Sequence, residues 1–234
     1  MIGWTQGGRA VMLWPGQTPE APLLWLNAGT ARQGEEVQAA LQALCPGGDW
    51  ALAAVSGLDW DRDLVPWDAP APAPGAAPLA GGADAYLAEL TGQLLPAAEA
   101  RLGGVPRWRG LAGYSLGGLF ALYALYRTDR FTRAASVSGS LWFPGLTDYL
   151  AGHAPAVRPR CLYFSIGRRE DRTRNPLLRP GRARTEAIAA GFAAAGVETV
   201  FALNPGGHFQ DPALRTARGL AWLLDRQDPP VPGG

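Results

Sequence analysis

Short apolar runs alternate with longer amphipathic runs along almost the whole chain. Several of the short runs are apolar at every position, which is typical of strands covered on both faces of a sheet. Strands are predicted over 8–14, 22–26, 50–55, 109–114, 134–138, 161–166 and 199–203. Helices, in which apolar residues recur every three to four positions, are predicted over 33–44, 84–102 with a bend at Pro96, 117–127, 182–195 and from 212 onward. This alternation predicts an α/β fold, a three-layer α/β/α sandwich with a mainly parallel central sheet.

The strand and helix pattern continues from end to end without an internal repeat, so we predict a single domain over 1–234. The main interruption is the range 57–82, which contains the tract APAPAPGAAP. Proline cannot continue a helix, and such a tract is expected to lie extended at the surface. We interpret 57–82 as a Pro/Ala-rich surface insertion rather than as a domain boundary.

The charged residues exclude several classes of function. The chain has 21 basic and 20 acidic residues, and this near-neutral balance gives no electrostatic basis for binding nucleic acid or an anionic membrane. All the basic residues are arginines. The absence of lysine excludes a Walker-type phosphate lysine, a Schiff-base lysine and a Ser–Lys dyad.

No metal or cofactor is expected. Asp59, Asp61 and Asp63 have the carboxylate spacing of a calcium loop, but Leu64 and Pro70 stand where the loop requires Gly and Glu. The two cysteines are isolated in sequence, which favours buried thiols over a zinc site or a disulfide. The chain also has no apolar run of about 18 residues and no secretory signal, so we expect no membrane span and a cytoplasmic location.

The strongest chemical signal is GYSLGG at 113–118, a G-x-S-x-G sequence between an apolar strand and an apolar helix. In that context the serine occupies a sharp strand-to-helix turn, and the glycines two residues to either side let neighbouring backbone approach. Ser115 is therefore the predicted nucleophile. The N–H of Leu116 would point to the place where a substrate oxyanion forms.

A serine hydroxyl needs a base, and the chain has only two histidines. His208 lies in a glycine-rich loop after the last predicted strand, where this order of elements presents a base, whereas His153 is interpreted as a surface residue. The acid is expected directly after the strand 161–166, where Glu170 and Asp171 are both candidates. The alternative is that both carboxylates form ion pairs with the neighbouring arginines.

Two further features concern the substrate. The second oxyanion donor is expected in the loop after 22–26, where the N–H of Gly29, or that of Ala28, is the candidate, although Gly29 could serve only a turn. Trp67 and Trp142 lie in loops predicted at the carboxyl ends of strands, where open α/β sheets bind ligands. They would line a substrate pocket or, alternatively, cover the core.

Five segments together resemble the esterase family related to esterase D and enterochelin (siderophore) esterase, within the α/β-hydrolase superfamily. They are LDWDRDLVPW at 58–67, GYSLGG at 113–118, SGSLW at 138–142, GRRE at 167–170 and GGH at 206–208. The resemblance covers about residues 23 to 210 and implies an α/β-hydrolase fold without a large cap domain. It also implies serine carboxylic-ester hydrolase activity and an acid at a G-x-x-E position, which favours Glu170. Asn27 and Ala28 stand where the family often has His or Asp before the oxyanion-loop glycine.

The sequence thus predicts a serine esterase acting on a small-molecule ester, with an acyl-enzyme on Ser115, His208 as general base and then acid, and Glu170 as orienting acid. No pattern in the chain specifies an oligomeric state. A thioesterase of the S-formylglutathione hydrolase type and an acyltransferase of the mycolyltransferase kind would use the same triad. They would be separated by a substrate panel and by product assays with alcohol acceptors. A non-catalytic binding protein on the same fold is disfavoured, since all three catalytic positions are filled.

Overall fold

Eight strands form one sheet in the computed structural model, which describes residues 1–226. The strands are β1 (Ile2–Gln6), β2 (Arg9–Trp14), β3 (Leu23–Asn27), β4 (Ala51–Ser56), β5 (Arg109–Tyr114), β6 (Arg133–Val137), β7 (Cys161–Gly167) and β8 (Glu198–Asn204). Their order across the sheet is β1-β2-β4-β3-β5-β6-β7-β8. β1 pairs antiparallel with β2, and β2 pairs antiparallel with β4, whereas the six strands β4-β3-β5-β6-β7-β8 are parallel to one another. The prediction of a mainly parallel sheet is confirmed.

Helices cover both faces of this sheet. They are α1 (Ala31–Leu44), α2 (Trp60–Asp63), α3 (Ala83–Glu89), α4 (Leu95–Leu102), α5 (Leu116–Ala124), α6 (Leu146–Gly152), α7 (Gly181–Ala194) and α8 (Pro212–Leu224). Helices α1 and α8 pack together over one face, and α3, α4, α5 and α7 contribute to the core on the other. This arrangement is the predicted three-layer sandwich. Within residues 1–226, no helix has the length and apolar character needed to cross a membrane.

Strand β3 shows how one apolar run serves two cores. Its side chains alternate between the faces of the sheet: Leu24 and Leu26 pack in the core beneath α1 and α8, whereas Leu23 and Trp25 belong to the opposite core. All five residues of the strand are buried. A strand covered on both sides has no solvent-facing position, so the run carries no alternating polar residues until Asn27 at its end.

The predicted helix over 84–102 is present as three consecutive segments instead of one helix bent at Pro96. Between α3 and α4, residues Leu90–Leu94 form a π-helical turn in which the N–H of Leu95 donates to the carbonyl of Leu90, five residues earlier. Pro96 explains the widening. It has no N–H to donate to the carbonyl of Gly92, and its ring would clash with that carbonyl in a regular α-helix.

The tract APAPAPGAAP lies mostly exposed, whereas Asp63, Leu64 and Val65, which also belong to the predicted insertion 57–82, are buried. The tract is bounded by a short antiparallel bridge between the buried residues Ala69 and Leu79, whose backbones exchange two hydrogen bonds. Between them, most of residues 70–78 are exposed and form no helix or strand. The tract is therefore a surface loop whose two ends are joined by the bridge between Ala69 and Leu79.

Candidate active site

Ser115 occupies the sharp turn between β5 and α5. Its φ and ψ are 56° and −120°, a conformation that L-residues rarely adopt and that the surrounding structure must hold in place. The N–H of Ser115 donates to the carbonyl of Val137 at 3.1 Å. At Gly113, a Cβ would lie 2.4 Å from the carbonyl carbon of Gly117, so the turn requires glycine there. The strand-to-helix turn predicted from G-x-S-x-G is present.

Three of the predicted side chains are joined by two consecutive hydrogen bonds. His208, in the loop between β8 and α8, has its Nε2 3.1 Å from Ser115 Oγ and its Nδ1 2.7 Å from Glu170 Oε2. Glu170 follows the end of β7, so the three residues come from the carboxyl ends of three parallel strands. This order of contacts allows a proton to pass from the hydroxyl to the imidazole while the carboxylate holds the opposite ring nitrogen.

The second oxygen of Glu170 is held by three donors. Its Oε1 accepts hydrogen bonds from the N–H of Gly167 at 2.6 Å, from Ser138 Oγ at 2.9 Å and from Arg215 Nη1 at 3.3 Å. Burial by itself raises the pKa of this carboxyl group. The contacts with His208, with the Gly167 N–H and with Ser138 outweigh burial, so the pKa of Glu170 lies below its ordinary value. The carboxyl group is therefore held as an oriented carboxylate.

Asp171, the alternative acid, points elsewhere. Its carboxylate pairs with Arg182 Nη1 at 3.3 Å, and both side chains are about one-third exposed. Asp171 is thus in an ion pair, as the alternative expected, but with Arg182 of α7 and not with an arginine adjacent in sequence. Glu170 instead contacts His208 and the buried Arg215.

Arg215 is a buried member of the site that the sequence reasoning missed. It lies on α8 with 2% of its surface exposed. Besides Glu170, its guanidinium contacts the hydroxyl of Tyr114 at 3.2 Å and the carbonyl of Pro205. The Tyr114 hydroxyl in turn donates to the backbone carbonyl of His208. One arginine thus links the strand that leads into Ser115 with the loops that carry the acid and the base.

Ser140 is a second residue without a predicted role. Its Oγ lies 3.3 Å from Ser115 Oγ, and its N–H donates to the carbonyl of Ser115 at 3.0 Å. Ser138, two residues earlier, has a left-handed backbone with φ of 44°. The only sequence signal for these serines was their place in SGSLW, one of the segments that carry the family resemblance. Arg215 had no such signal, since an arginine in an amphipathic helix is ordinarily exposed.

The two predicted oxyanion donors differ in availability. Leu116 is the first residue of α5, so its N–H has no acceptor within the helix, and it lines the cavity beside Ser115. The N–H of Gly29 instead donates to Gln33 Oε1 at 2.7 Å, and that of Ala28 donates to the carbonyl of Val55. Gly29 does not line the cavity either. As the structure stands, it brings Leu116 to the site but leaves Gly29 outside it.

A cavity of about 540 Å³ opens beside Ser115 and His208. Trp142, one of the two tryptophans predicted to contact substrate, lines it. Trp67, the other, does not. Its indole N–H donates to the carbonyl of Pro144 at 2.9 Å, and its ring packs against Phe143 and Tyr149. The prediction of Trp67 as a pocket residue is therefore corrected, and the alternative of a tryptophan that covers the core describes it.

His153, the two cysteines and Asp63 do not line this cavity. His153 is exposed and stacks on Tyr149 at 4.3 Å between ring centroids, as expected for a surface histidine. Both cysteines are free thiols, and burial raises the pKa of Cys161 to about 11, which disfavours its thiolate. Asp63, from the triplet with calcium-like spacing, forms an ion pair with Arg9 at 2.7 Å.

A parallel sheet covered on both faces, with a serine at the sharp turn after a central strand, defines an α/β-hydrolase fold. Residues 19–191 match the family model described as "Putative esterase", and the chain belongs to this esterase family. The predicted family, the predicted fold and the interpretation of the chain as an enzyme of the esterase class are confirmed.

Many solved structures share the fold, and two of them illustrate the similarity. The siderophore hydrolase EstA from Aspergillus nidulans is 18% identical, with a TM-score of 0.71 over 96% of this chain and 94% of that one. An IroE-like serine hydrolase from Shewanella oneidensis is 19% identical, with a TM-score of 0.74 over 92% of this chain and 75% of that one. A curated relative, the uncharacterized protein YbbA of Bacillus subtilis strain 168, is 27% identical over 131 residues. That match covers 54% of this chain and 52% of YbbA, about half of its length.

Proposed function

We propose that this protein hydrolyses small-molecule carboxylic esters through an acyl-enzyme on Ser115. The observation that carries the proposal is a pair of consecutive hydrogen bonds. Ser115 Oγ lies 3.1 Å from His208 Nε2, and His208 Nδ1 lies 2.7 Å from Glu170 Oε2. A hydroxyl, a base and an orienting carboxylate in this order are the parts that activate a serine for acyl transfer. Membership of an esterase family supports ester bonds as the target.

The reaction follows from these contacts. His208 Nε2 takes the hydroxyl proton as Ser115 Oγ attacks the ester carbonyl, and the carbonyl oxygen becomes an oxyanion that accepts a hydrogen bond from the N–H of Leu116. The imidazolium then returns the proton to the departing alcohol, which leaves an acyl group on Ser115. Water, deprotonated by His208 in the same way, attacks the acyl carbon. The bond from that carbon to Ser115 Oγ breaks, the imidazolium returns the proton to Oγ, and the acid is released.

Glu170 acts on His208 and not on the substrate. Its Oε2 accepts the Nδ1–H, which leaves Nε2 free to take the serine proton, and its negative charge stabilises the imidazolium that forms. The three donors on Oε1 keep that carboxylate ionised and fixed. Arg215 thereby supports the acid, while Tyr114 holds the backbone of the base.

Leu116 is the one oxyanion donor that the proposed mechanism uses. The N–H of Gly29 is donated to Gln33 Oε1, and Gly29 does not line the cavity. For Gly29 to serve as the second donor, Gln33 would have to release this N–H and the loop after β3 would have to move toward Ser115.

A fluorophosphonate probe tests the proposal directly, since such probes phosphonylate serines that are activated by a base. Wild-type protein is expected to carry one label on the peptide that contains Ser115, and Ser115→Ala is expected to remain unlabelled. His153→Ala, which alters the other histidine, should label like wild type. A label on Ser140 in place of Ser115 would refute the assignment of the nucleophile, and an unlabelled wild type would refute the activated serine.

The carboxylate of Glu170 also predicts a pH effect on stability. Its folded pKa is lowered, so its contribution is fully present above the unfolded value of about 4.3 and is lost as the pH falls through the folded value. Below about pH 4.3, the free energy of unfolding of Glu170→Gln should therefore fall less steeply with decreasing pH than that of wild type. The difference should be at most about 1.4 kcal/mol per pH unit.

Urea titrations from pH 6 to pH 3 would measure these slopes. Comparing the slopes of unfolding free energy against pH removes any pH-independent loss of stability caused by the substitution. Far-UV circular dichroism checks that both proteins are folded at pH 6. Parallel curves for the two proteins would contradict the lowered pKa.

A further inference from the structure

We propose that the ester acted on at Ser115 is uncharged and carries a bulky apolar group, which occupies the cavity beside the serine. This inference rests on the proposed function and adds a substrate class to it.

The cavity is larger and more apolar than a short ester requires. Its volume of about 540 Å³ far exceeds the space taken by an acetyl group and is typical of pockets that enclose drug-sized ligands. Apolar side chains form much of its wall, namely Trp60, Pro72, Leu79, Trp142, Leu178 and Phe209. Each methylene that a substrate buries against such walls strengthens binding about fourfold.

Phe209 is the most informative of these residues. Its side chain is 92% exposed, although it directly follows the proposed base, and its ring meets the His208 imidazole edge-to-face at 5.1 Å. Phe209 lies at the rim of the cavity with almost all its surface in water, so it buries little apolar area against the protein itself. An apolar group of the substrate, lying between Phe209 and the opposite wall, would remove that surface from water.

The charges in the cavity do not favour an ionic substrate. Glu170 is already bound by His208 and Arg215. The other two ionic residues that line the cavity, Asp61 and Arg169, have opposite charges and are exposed to water. Four arginines near the acid, Arg168, Arg172, Arg179 and Arg182, line a separate depression together with Asp171 and Glu186.

The outer wall joins two loops. Pro72 and Ala73 come from the Pro/Ala-rich tract and Leu79 directly follows it, whereas Thr173 and Leu178 come from the segment after Glu170. Asn175 Nδ2 donates to the carbonyl of Pro72 at 2.6 Å, which fastens one loop to the other. The tract that looks like a featureless surface insertion in the sequence thus forms one side of the proposed binding site.

The test is a series of p-nitrophenyl esters of increasing acyl length, from acetate through butyrate to octanoate, with the negatively charged hemisuccinate included. Octanoate has six more methylenes than acetate, so even partial burial should raise kcat/KM for octanoate at least about 100-fold above that for acetate. Hemisuccinate should be a poorer substrate than butyrate. Equal kcat/KM across the neutral series would overturn the apolar group, and a preference for hemisuccinate would overturn the uncharged substrate.

Two variants test whether the preference for long acyl chains arises in this cavity. Phe209→Ala should reduce the ratio of kcat/KM for octanoate to that for acetate about tenfold. Without the ring, the octanoyl chain should lose contact area equivalent to the burial of one to two methylenes. Asn175→Ala, which releases the two loops, should also lower that ratio. Val105→Ala is the matched control because Val105 is also an exposed apolar residue, at 71%, but does not line the cavity.

The outcomes separate this inference from the proposed function. Hydrolysis of acetate that depends on Ser115, with no gain for octanoate, would refute the substrate class and leave the esterase mechanism standing. A chain-length preference unchanged in both cavity variants would refute the placement of the apolar group. If the protein hydrolyses none of the esters and is not labelled by the fluorophosphonate probe, both proposals are refuted.

Discussion

Ser115→Ala is expected to lower kcat for ester hydrolysis by a factor on the order of 10⁶, and His208→Ala by a similar factor. The hydroxyl and the imidazole are 3.1 Å apart and act in one proton transfer, so neither is useful without the other. The double variant should therefore lose little more than either single variant.

Rates of p-nitrophenyl butyrate hydrolysis would measure these losses. His153→Ala is the control, because His153 is exposed and stacks on Tyr149 away from the cavity, and it should retain nearly the full rate. More than a tenth of the wild-type activity in Ser115→Ala would end the serine mechanism.

Glu170→Gln should lower kcat by about 10⁴, less than the loss of the nucleophile, because the acid orients and stabilises the imidazole without touching the substrate. Asp171→Asn should stay within about tenfold of wild type, because Asp171 pairs with Arg182 of α7 and both side chains are about one-third exposed. The adjacent pair therefore forms a matched comparison, in which one carboxylate contacts His208 and the other does not.

Melting temperatures should be measured beside both kcat values, because Glu170→Gln also removes the carboxylate that faces the buried Arg215. If Glu170→Gln is folded and nearly fully active while Asp171→Asn is impaired, Asp171 and not Glu170 is the orienting acid. If neither substitution affects kcat, the mechanism reduces to a Ser–His dyad.

Much of the fold could be predicted from the sequence because its central strands are covered on both faces. Strand β5 was predicted at its observed bounds, and β3, β4 and β7 within one residue at either end, since uniformly apolar runs between turn residues leave little choice of boundary. The edge strand β1 was missed. Most of its residues are exposed, so it lacks an apolar run. The turn signal was nevertheless present in Gly7 and Gly8, whose φ values of 58° and 81° suit a two-residue hairpin.

The candidate site could be predicted as far as its chemistry follows the order of strands. Ser115, Glu170 and His208 were located because each follows a strand that could be recognised, and the structure brings their side chains together. Arg215 could not be found this way, because its partners come from distant segments. Trp67 and Trp142 looked equivalent in sequence, and only the packed structure distinguishes the one that covers the core from the one that lines the cavity.

The order of the strands also has a consequence for how the chain folds. Strand β3, near the N-terminus, pairs with β5, so that Leu23 lies opposite Arg109, and these contacts cannot form until both segments have been synthesised. Pairings between residues so far apart in sequence close long loops and are slow to form. Ser115 and His208 are 93 residues apart. A nascent chain that ends after β6 therefore contains its serine turn but neither the acid nor the base, and the complete constellation is among the last features that folding assembles.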